Sequence, residues 1–231
     1  NQEQGDQYRH SSYLFWWGKA HLQLQQKEAA KEKFKKVIEE DGAGYYAFLS
    51  YRELNEPIPT LPPEQNKSFL SLQVDGFDTS LFQWLILSEE YVFAQQLLSE
   101  EWPSQFIDIK NENFISAFSA AEFFNPIFQT FVKLTTAEKM WALNNRTQTL
   151  HPLLFLEDVQ KASEKTGLPK EYILAIIRQE SSFNPFAVSP ANAIGLMQLL
   201  PKVAKPIAKK LKIPYTDKED LFIPSTSIAL G

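Results

Sequence analysis

The chain has 231 residues, of which 44% are hydrophobic and 22% charged, and its formal net charge is −5. These values are typical of a globular protein with one large or two modest domains, and the acidic balance argues against a nucleic-acid partner. The sequence has no cysteine, which excludes disulfides and thiolate metal sites. With 14 prolines and only 8 glycines, the composition favours helices interrupted by proline over a β protein with many tight turns.

Several functional classes lack their usual sequence signals. No apolar run is long enough to span a membrane, and the polar first residues do not form the apolar core of an export signal. Phosphate-binding glycine motifs and the GxSxG motif are absent. His10, His21 and His151 lie far apart, without the spacing of metal ligands. We therefore predict no metal and no cofactor, and expect any chemistry to come from carboxylates.

Helical periodicity recurs through much of the first 149 residues, whereas residues 144–151 are polar and have no periodic pattern. The clearest case is 27–40, where Ala30, Phe34, Val37 and Ile38 recur on one face and charged residues occupy the other. Similar patterns predict helices at 11–24, 45–54, from 78 onward, 89–99, 107–121 and 126–134, with Thr135-Thr136 capping another. Short helices of this kind predict a degenerate tetratricopeptide-like superhelix over 1–149, with an extended proline-rich connector at 55–63. The second domain then comprises 150–231.

One helix of the second domain ends in an unusual carboxylate. After an amphipathic helix at 153–166, Pro169 and Glu171 begin a helix whose residues 172–177 are apolar, so it should be buried nearly all round. Glu180 falls in its last turn. The negative end of the helix dipole and apolar surroundings would both disfavour the ionised carboxylate, as a general acid requires. Glu180 is therefore the first candidate for a catalytic residue.

A basic helix should follow from Pro201, kinked or restarted at Pro206. Its lysines form a cluster: Lys202, Lys205, Lys209, Lys210 and Lys212. The simpler interpretation is a solvated helix face, and the alternative is a surface for an anionic polymer or peptide.

The residues around Glu180 form a longer motif. Residues 180–185 (ESSFNP), 187–190 (AVSP) and 193–198 (AIGLMQ), followed by Pro201, resemble the catalytic motif of lytic transglycosylases, the lysozyme-like enzymes that cleave peptidoglycan. Residues 221–231 (LFIPSTSIALG) resemble the segment that follows in that family. Ile223 and Ser227 replace the usual Asp and Asn there. The helical region before residue 150 resembles the superhelical domain of the large soluble members.

The resemblance implies a fold and a set of site residues. The fold is all-α, with a superhelical region followed by part of a lysozyme-like domain. Glu180 matches the single catalytic acid and base, while Ser189, Gln198 and Met197 match positions that line the cleft near substrate. For Ser189 a turn role before Pro190 is the alternative, and for Met197 it is packing in the core. No cofactor is implied. The implied location is the periplasm, and the implied partners are peptidoglycan strands, with cell-wall synthesis or division proteins as further candidates.

The implied reaction cleaves the β-1,4 bond between MurNAc and GlcNAc. A proton must reach the leaving oxygen as positive charge develops at the sugar. No Asp or Glu occurs between Glu180 and Asp217, which fits a route in which one carboxyl acts first as acid and then as base. The base step lets the C6 hydroxyl close a 1,6-anhydro ring.

Two other functions remain open at this stage. One is hydrolysis, as in a goose-type lysozyme, and the other is a non-catalytic helical scaffold that binds cell wall or protein. In the family the catalytic domain continues past the equivalent of Gly231 with a Tyr-Asn-Ala-Gly motif, which this sequence lacks. This predicts either a truncated enzyme or a natural fragment with an incomplete cleft, and such a chain need not be active.

Overall fold

The structure is a computed structural model that describes residues 2–41, 44–58, 79–101 and 108–231. Every regular element in these ranges is helical, and the predicted all-α class is confirmed. The first helices are α1 (Gln2–Gln23), α2 (Lys27–Asp41), α3 (Tyr45–Leu54), α4 (Thr79–Leu87), α5 (Tyr91–Glu101), α6 (Glu112–Ala120) and α7 (Phe124–Lys133). They are followed by α8 (Thr136–Asn145), α9 (Thr147–Leu150), α10 (Leu156–Thr166), α11 (Lys170–Ser181), α12 (Pro201–Leu211), a 3-10 helix (Lys218–Phe222) and α13 (Pro224–Leu230).

Contacts divide the chain into two compact units. The first consists of Asn1–Gln65 and Thr130–Thr147, and the second of Asn66–Gln129 and Gln148–Gly231. Each unit consists of two separate segments of the chain, so this division does not test a single boundary along the sequence. The domain boundary near residue 149 stays a prediction.

In the first unit, α1, α2 and α3 pack closely together. Their shared core comprises Leu14, Phe15, Ala30, Phe34, Val37 and Ala47. Gly18 lets α1 approach α2, because a Cβ at this position would lie 2.6 Å from the Phe34 ring. The predicted cap at Thr135 is present as a capping box, in which Thr135 and Glu138 each bond the other's backbone N–H.

In the second unit, the last three helical elements enclose a core around the motif. Ile194 packs with Ala204, Ala208, Leu221 and Leu230. The backbone at Ile194 makes two isolated β-bridges, one with Val188 and one with Leu199, and these hold the loop between α11 and α12 in place. The loop that carries most of the motif is therefore fixed to the core through the buried Ile194.

Several predicted details differ from the structure. α11 is amphipathic: Ile173, Leu174 and Ile177 are buried, but Tyr172 is 56% exposed, so the expected all-round burial was wrong. α12 continues through Pro206 without restarting. α9 forms where no periodicity was visible.

Some predicted features lie outside the described residues. They are residues 59–63 of the connector and the first residues of two predicted helices, Asp78 and Ile107. No helix among the described residues has the length and apolar character needed to cross a membrane.

Candidate active site

The end of α11 presents Glu180 to solvent. Ile177 is buried on the inner face, and the buried Ser181 hydroxyl donates to the Ile177 carbonyl oxygen at 3.0 Å. Ser182, with φ 52°, ends the helix in the left-handed conformation. Glu180 lies on the opposite, exposed side of this last turn. The protein therefore does not bury this carboxylate, contrary to the sequence-based expectation.

Arg178, in the same turn of α11, contacts Leu150 and Phe128. Its Nε donates to the Leu150 carbonyl oxygen at 3.1 Å, and its guanidinium lies 4.2 Å from the centroid of the Phe128 ring. Burial lowers the pKa of Arg178, and burial together with the Arg178 charge lowers the pKa of the neighbouring His151. These contacts fix the position of the helix end that carries Glu180.

Glu180 opens into a cleft of about 400 Å³, the Glu180 cleft. The end of α11 lines it together with two other segments: one around the start of α7 and one in the loop before α12. The lining residues are Glu122, Phe123, Phe124, Asn125, Gln129, Gln179, Glu180, Ser181, Ser182, Asn184, Ala187, Val188, Ser189 and Gln198. Three of the four predicted site residues, Glu180, Ser189 and Gln198, thus meet in one place.

Ser189 has a structural role and a free donor. Its Oγ accepts the Ala193 N–H at 3.0 Å, and its own N–H donates to the Ala193 carbonyl oxygen at 2.9 Å. The turn alternative thus describes part of its role. Because the hydroxyl accepts in this bond, its proton can still be donated to a ligand in the cleft.

Gln198 is held rigidly and keeps an acceptor available. Its Nε2 donates to the carbonyl oxygens of Ala187 at 3.1 Å and Gly195 at 3.0 Å. Both bonds use the amide nitrogen, so Oε1 is left to accept a hydrogen bond from a ligand. Gly195, with φ +76°, has no room for a side chain, because a Cβ there would overlap the Leu221 carbonyl oxygen.

Met197 is not among the residues that line the Glu180 cleft. Its side chain lies against Gly231, where an added Cβ would be 2.7 Å from the Met197 Cβ. Its backbone N–H donates to the buried Ser227 hydroxyl at 3.2 Å. Its role as a substrate contact stays a prediction. The contact also explains Ser227: a small hydroxyl residue ties α13 to the motif.

Sequence reasoning missed Glu122. It follows α6 with φ 52° and lines the same cleft as Glu180. Burial raises the pKa of the Glu122 carboxyl. No second acid lies between Glu180 and Asp217, and Glu122 is far from this stretch in sequence, just before α7. No local pattern marks Glu122, because only the fold brings it to the cleft.

The cleft contains no obvious metal site. Within the ranges that the structure describes, no group of three His, Asp or Glu side chains is arranged to hold a metal ion. The chemistry that this arrangement can supply is proton transfer by a carboxyl, flanked by a hydroxyl donor and an amide acceptor.

Known proteins share both the motif region and the fold. Residues 157–231 match the family described as "Transglycosylase SLT domain". A putative soluble lytic murein transglycosylase of Haemophilus influenzae is 33% identical over 149 residues, which is 64% of this chain and 21% of that protein. The soluble lytic murein transglycosylase of Escherichia coli is 24% identical over 220 residues, which is 95% of this chain and 33% of that protein.

Solved structures agree with this likeness. The crystal structure of the 70 kDa soluble lytic transglycosylase of Escherichia coli superposes with a TM-score of 0.70 at 20% identity, over 96% of this chain and 34% of that one. An inactive mutant of lytic transglycosylase Slt from Pseudomonas aeruginosa gives a TM-score of 0.70 at 20% identity, over 95% of this chain and 35% of that one. The predicted resemblance to soluble lytic transglycosylases with a lysozyme-like domain is confirmed. The chain spans about a fifth to a third of the length of these relatives.

Proposed function

We propose that this protein is a peptidoglycan lytic transglycosylase and that Glu180 is its acid and base. The observation that carries the proposal is the Glu180 cleft. It combines an accessible carboxyl with Ser189 and Gln198, within a segment that matches the transglycosylase SLT domain. The names of the relatives support murein as the polymer and an enzyme as the class.

The first step uses Glu180 as an acid. Its carboxyl donates a proton to the glycosidic oxygen, and the bond from that oxygen to C1 of MurNAc breaks as positive charge develops on the sugar ring. In the free protein the Glu180 side chain is exposed to water. A glycan lying in the cleft would displace water from between Glu180 and the apolar side chains of Phe123 and Val188, which strengthens the hydrogen bond between the carboxyl and the glycosidic oxygen.

The second step uses the same residue as a base. The Glu180 carboxylate takes the proton from the C6 hydroxyl, and the C6 oxygen attacks C1 to close the 1,6-anhydro ring. The enzyme regains its proton and no water is consumed. In this reaction Ser189 would donate from its hydroxyl, and Gln198 would accept at Oε1, to hold the sugar against Glu180.

The periplasm is the proposed location, since peptidoglycan lies there and the relatives are named for murein. Proteins of cell-wall synthesis or division are proposed as partners by the same reasoning. Co-purification with such proteins from solubilised envelopes would test the partners, and absence of any such protein would remove that part of the proposal.

The test measures the turnover of purified sacculi by two proteins, the full-length parent protein and its Glu180→Gln variant. The variant keeps the size of the side chain but cannot transfer the proton, so turnover of purified sacculi should fall by about 10²–10⁴-fold. Binding to sacculi should remain. The matched control is Glu171→Gln, an exposed position in the first turn of the same helix, which should keep full turnover. Undiminished turnover in Glu180→Gln would overturn the assignment.

A further inference from the structure

The Glu122 carboxyl is an unexplained feature of the Glu180 cleft. It belongs to the segment 122–125, which precedes the region matched by the transglycosylase SLT domain. Ser182 on the α11 side donates to Asn125 Oδ1 at 3.5 Å, which links this segment to the end of α11. One wall of the cleft therefore comes from outside the motif.

Glu122 is half-buried without compensation. Its backbone N–H donates to the Ser119 carbonyl oxygen at 3.1 Å, but its carboxyl makes no hydrogen bond or ion pair with any described residue. Burial raises the pKa of this carboxyl, and the Glu122 charge in turn helps to raise the pKa of Tyr91. A polar group that loses hydration without gaining a partner is unfavourable in the free protein. A ligand that supplies the partner would recover that loss.

The backbone at Glu122 gives a second reason to assign a function. With φ 52°, directly after the end of α6, the residue occupies a conformation in which glycine is strongly preferred. A glutamate at this position therefore costs stability through its backbone and through its partly desolvated side chain. Strained residues that line clefts are often retained for binding.

We propose that Glu122 binds the glycan, with its carboxyl accepting a hydrogen bond from a sugar hydroxyl or acetamido N–H in the Glu180 cleft. A carboxylate acceptor forms stronger hydrogen bonds than a neutral one. The ligand group is an uncharged donor, because an anionic group would be repelled by the two carboxyls of this cleft. The inference rests on the proposed function, since it takes peptidoglycan glycan as the ligand.

The test measures affinity in a Glu180→Gln background, which prevents turnover. The probes are a peptide-free β-1,4-linked N-acetylglucosamine oligomer and a muropeptide that carries its stem peptide, both titrated by calorimetry. Glu122→Gly removes the carboxyl but suits the backbone, so a folding defect is not expected. It should weaken binding of both probes at least about fivefold, a typical loss for one hydrogen bond. Glu122→Gln, which keeps an acceptor oxygen, should weaken binding less.

The control is Glu90→Gln, at an exposed position in the turn between α4 and α5, and its affinities should match the parent. Unchanged affinity in Glu122→Gly overturns the inference. Loss of affinity for the muropeptide alone also overturns it, since the carboxyl would then contact the peptide. Failure of the proposed function is distinct. In that case the parent protein binds neither probe, whatever residue stands at 122, and both proposals fall.

Discussion

At the scale of single residues, the site can be predicted from sequence only where its members are close along the chain. Glu180, Ser189 and Gln198 belong to one motif, and the loop between α11 and α12 brings them into one cleft. The apolar surroundings expected for Glu180 are not present, because this residue lies at the exposed end of α11. Burial depends on what packs against a helix, and the composition of the helix does not determine it.

Glu122 leads to a pH-dependent prediction. Burial raises its pKa above the ordinary value of 4.5, so the folded state keeps the proton at pH values where the unfolded state releases it. The stability associated with the protonated carboxyl is fully present below pH 4.5 and is lost as pH rises through the raised pKa. Glu122→Gln should therefore be more stable than the parent near neutral pH, with a smaller difference below pH 4.5.

Urea unfolding of both proteins across this pH range measures the difference. Glu90→Gln serves as the exposed control and should change little at either pH. A stability gain in Glu122→Gln that is the same below pH 4.5 as near neutrality would show that the carboxyl does not titrate as described.

At the scale of elements, helices with clear apolar periodicity were predicted well, as at Lys27–Asp41 and Tyr45–Leu54. The exceptions have physical causes. α9 is a single short turn of helix with buried Thr149 and Leu150, so tertiary packing stabilises it although its sequence has no period. α12 includes Pro206, and its buried alanines Ala204 and Ala208 hold it against the core despite the missing backbone N–H.

The start of α13 can be improved. Its N-cap position is occupied by Ile223, which is 48% exposed and cannot accept a hydrogen bond from the helix N-terminus. Ile223→Asp supplies that acceptor and a favourable charge, so it should stabilise the protein by about 1 kcal/mol. Thermal unfolding measures the gain. Ile223→Ala is the control without a cap, and equal stability of the Asp and Ala variants would contradict the prediction.

The turn before α12 depends on Gly195. Gly195→Ala would place a Cβ against the Leu221 carbonyl oxygen in a residue with φ +76°, so it should destabilise the protein by about 2–4 kcal/mol. Gly167→Ala is a matched control, since Gly167 has φ +75° but nothing within 4 Å of an added Cβ. Gly167→Ala should lose only the stability that an alanine at positive φ costs. Equal losses of stability in the two variants would contradict the predicted overlap between a Cβ at 195 and the Leu221 carbonyl oxygen.

At the scale of the whole molecule, the resemblance to soluble lytic transglycosylases and the all-helical class were predictable, because a motif and helical periodicity are properties of sequence. The full set of residues that line the Glu180 cleft was not predictable from sequence. Residues 122–129 reach it from before the matched region, and their contribution depends on tertiary structure that no local pattern encodes. The site is thus a property of the second compact unit, and its motif supplies only part of the lining.

We propose that Glu180 cleaves peptidoglycan by proton transfer to and from the sugar, without water as a reactant. The most direct test of this proposal digests purified sacculi with the protein in water enriched in heavy oxygen and analyses the products by mass spectrometry. We predict 1,6-anhydro-MurNAc ends that carry no heavy oxygen and that are absent with Glu180→Gln. Reducing MurNAc ends that carry one heavy oxygen atom would instead identify a hydrolase and contradict the account.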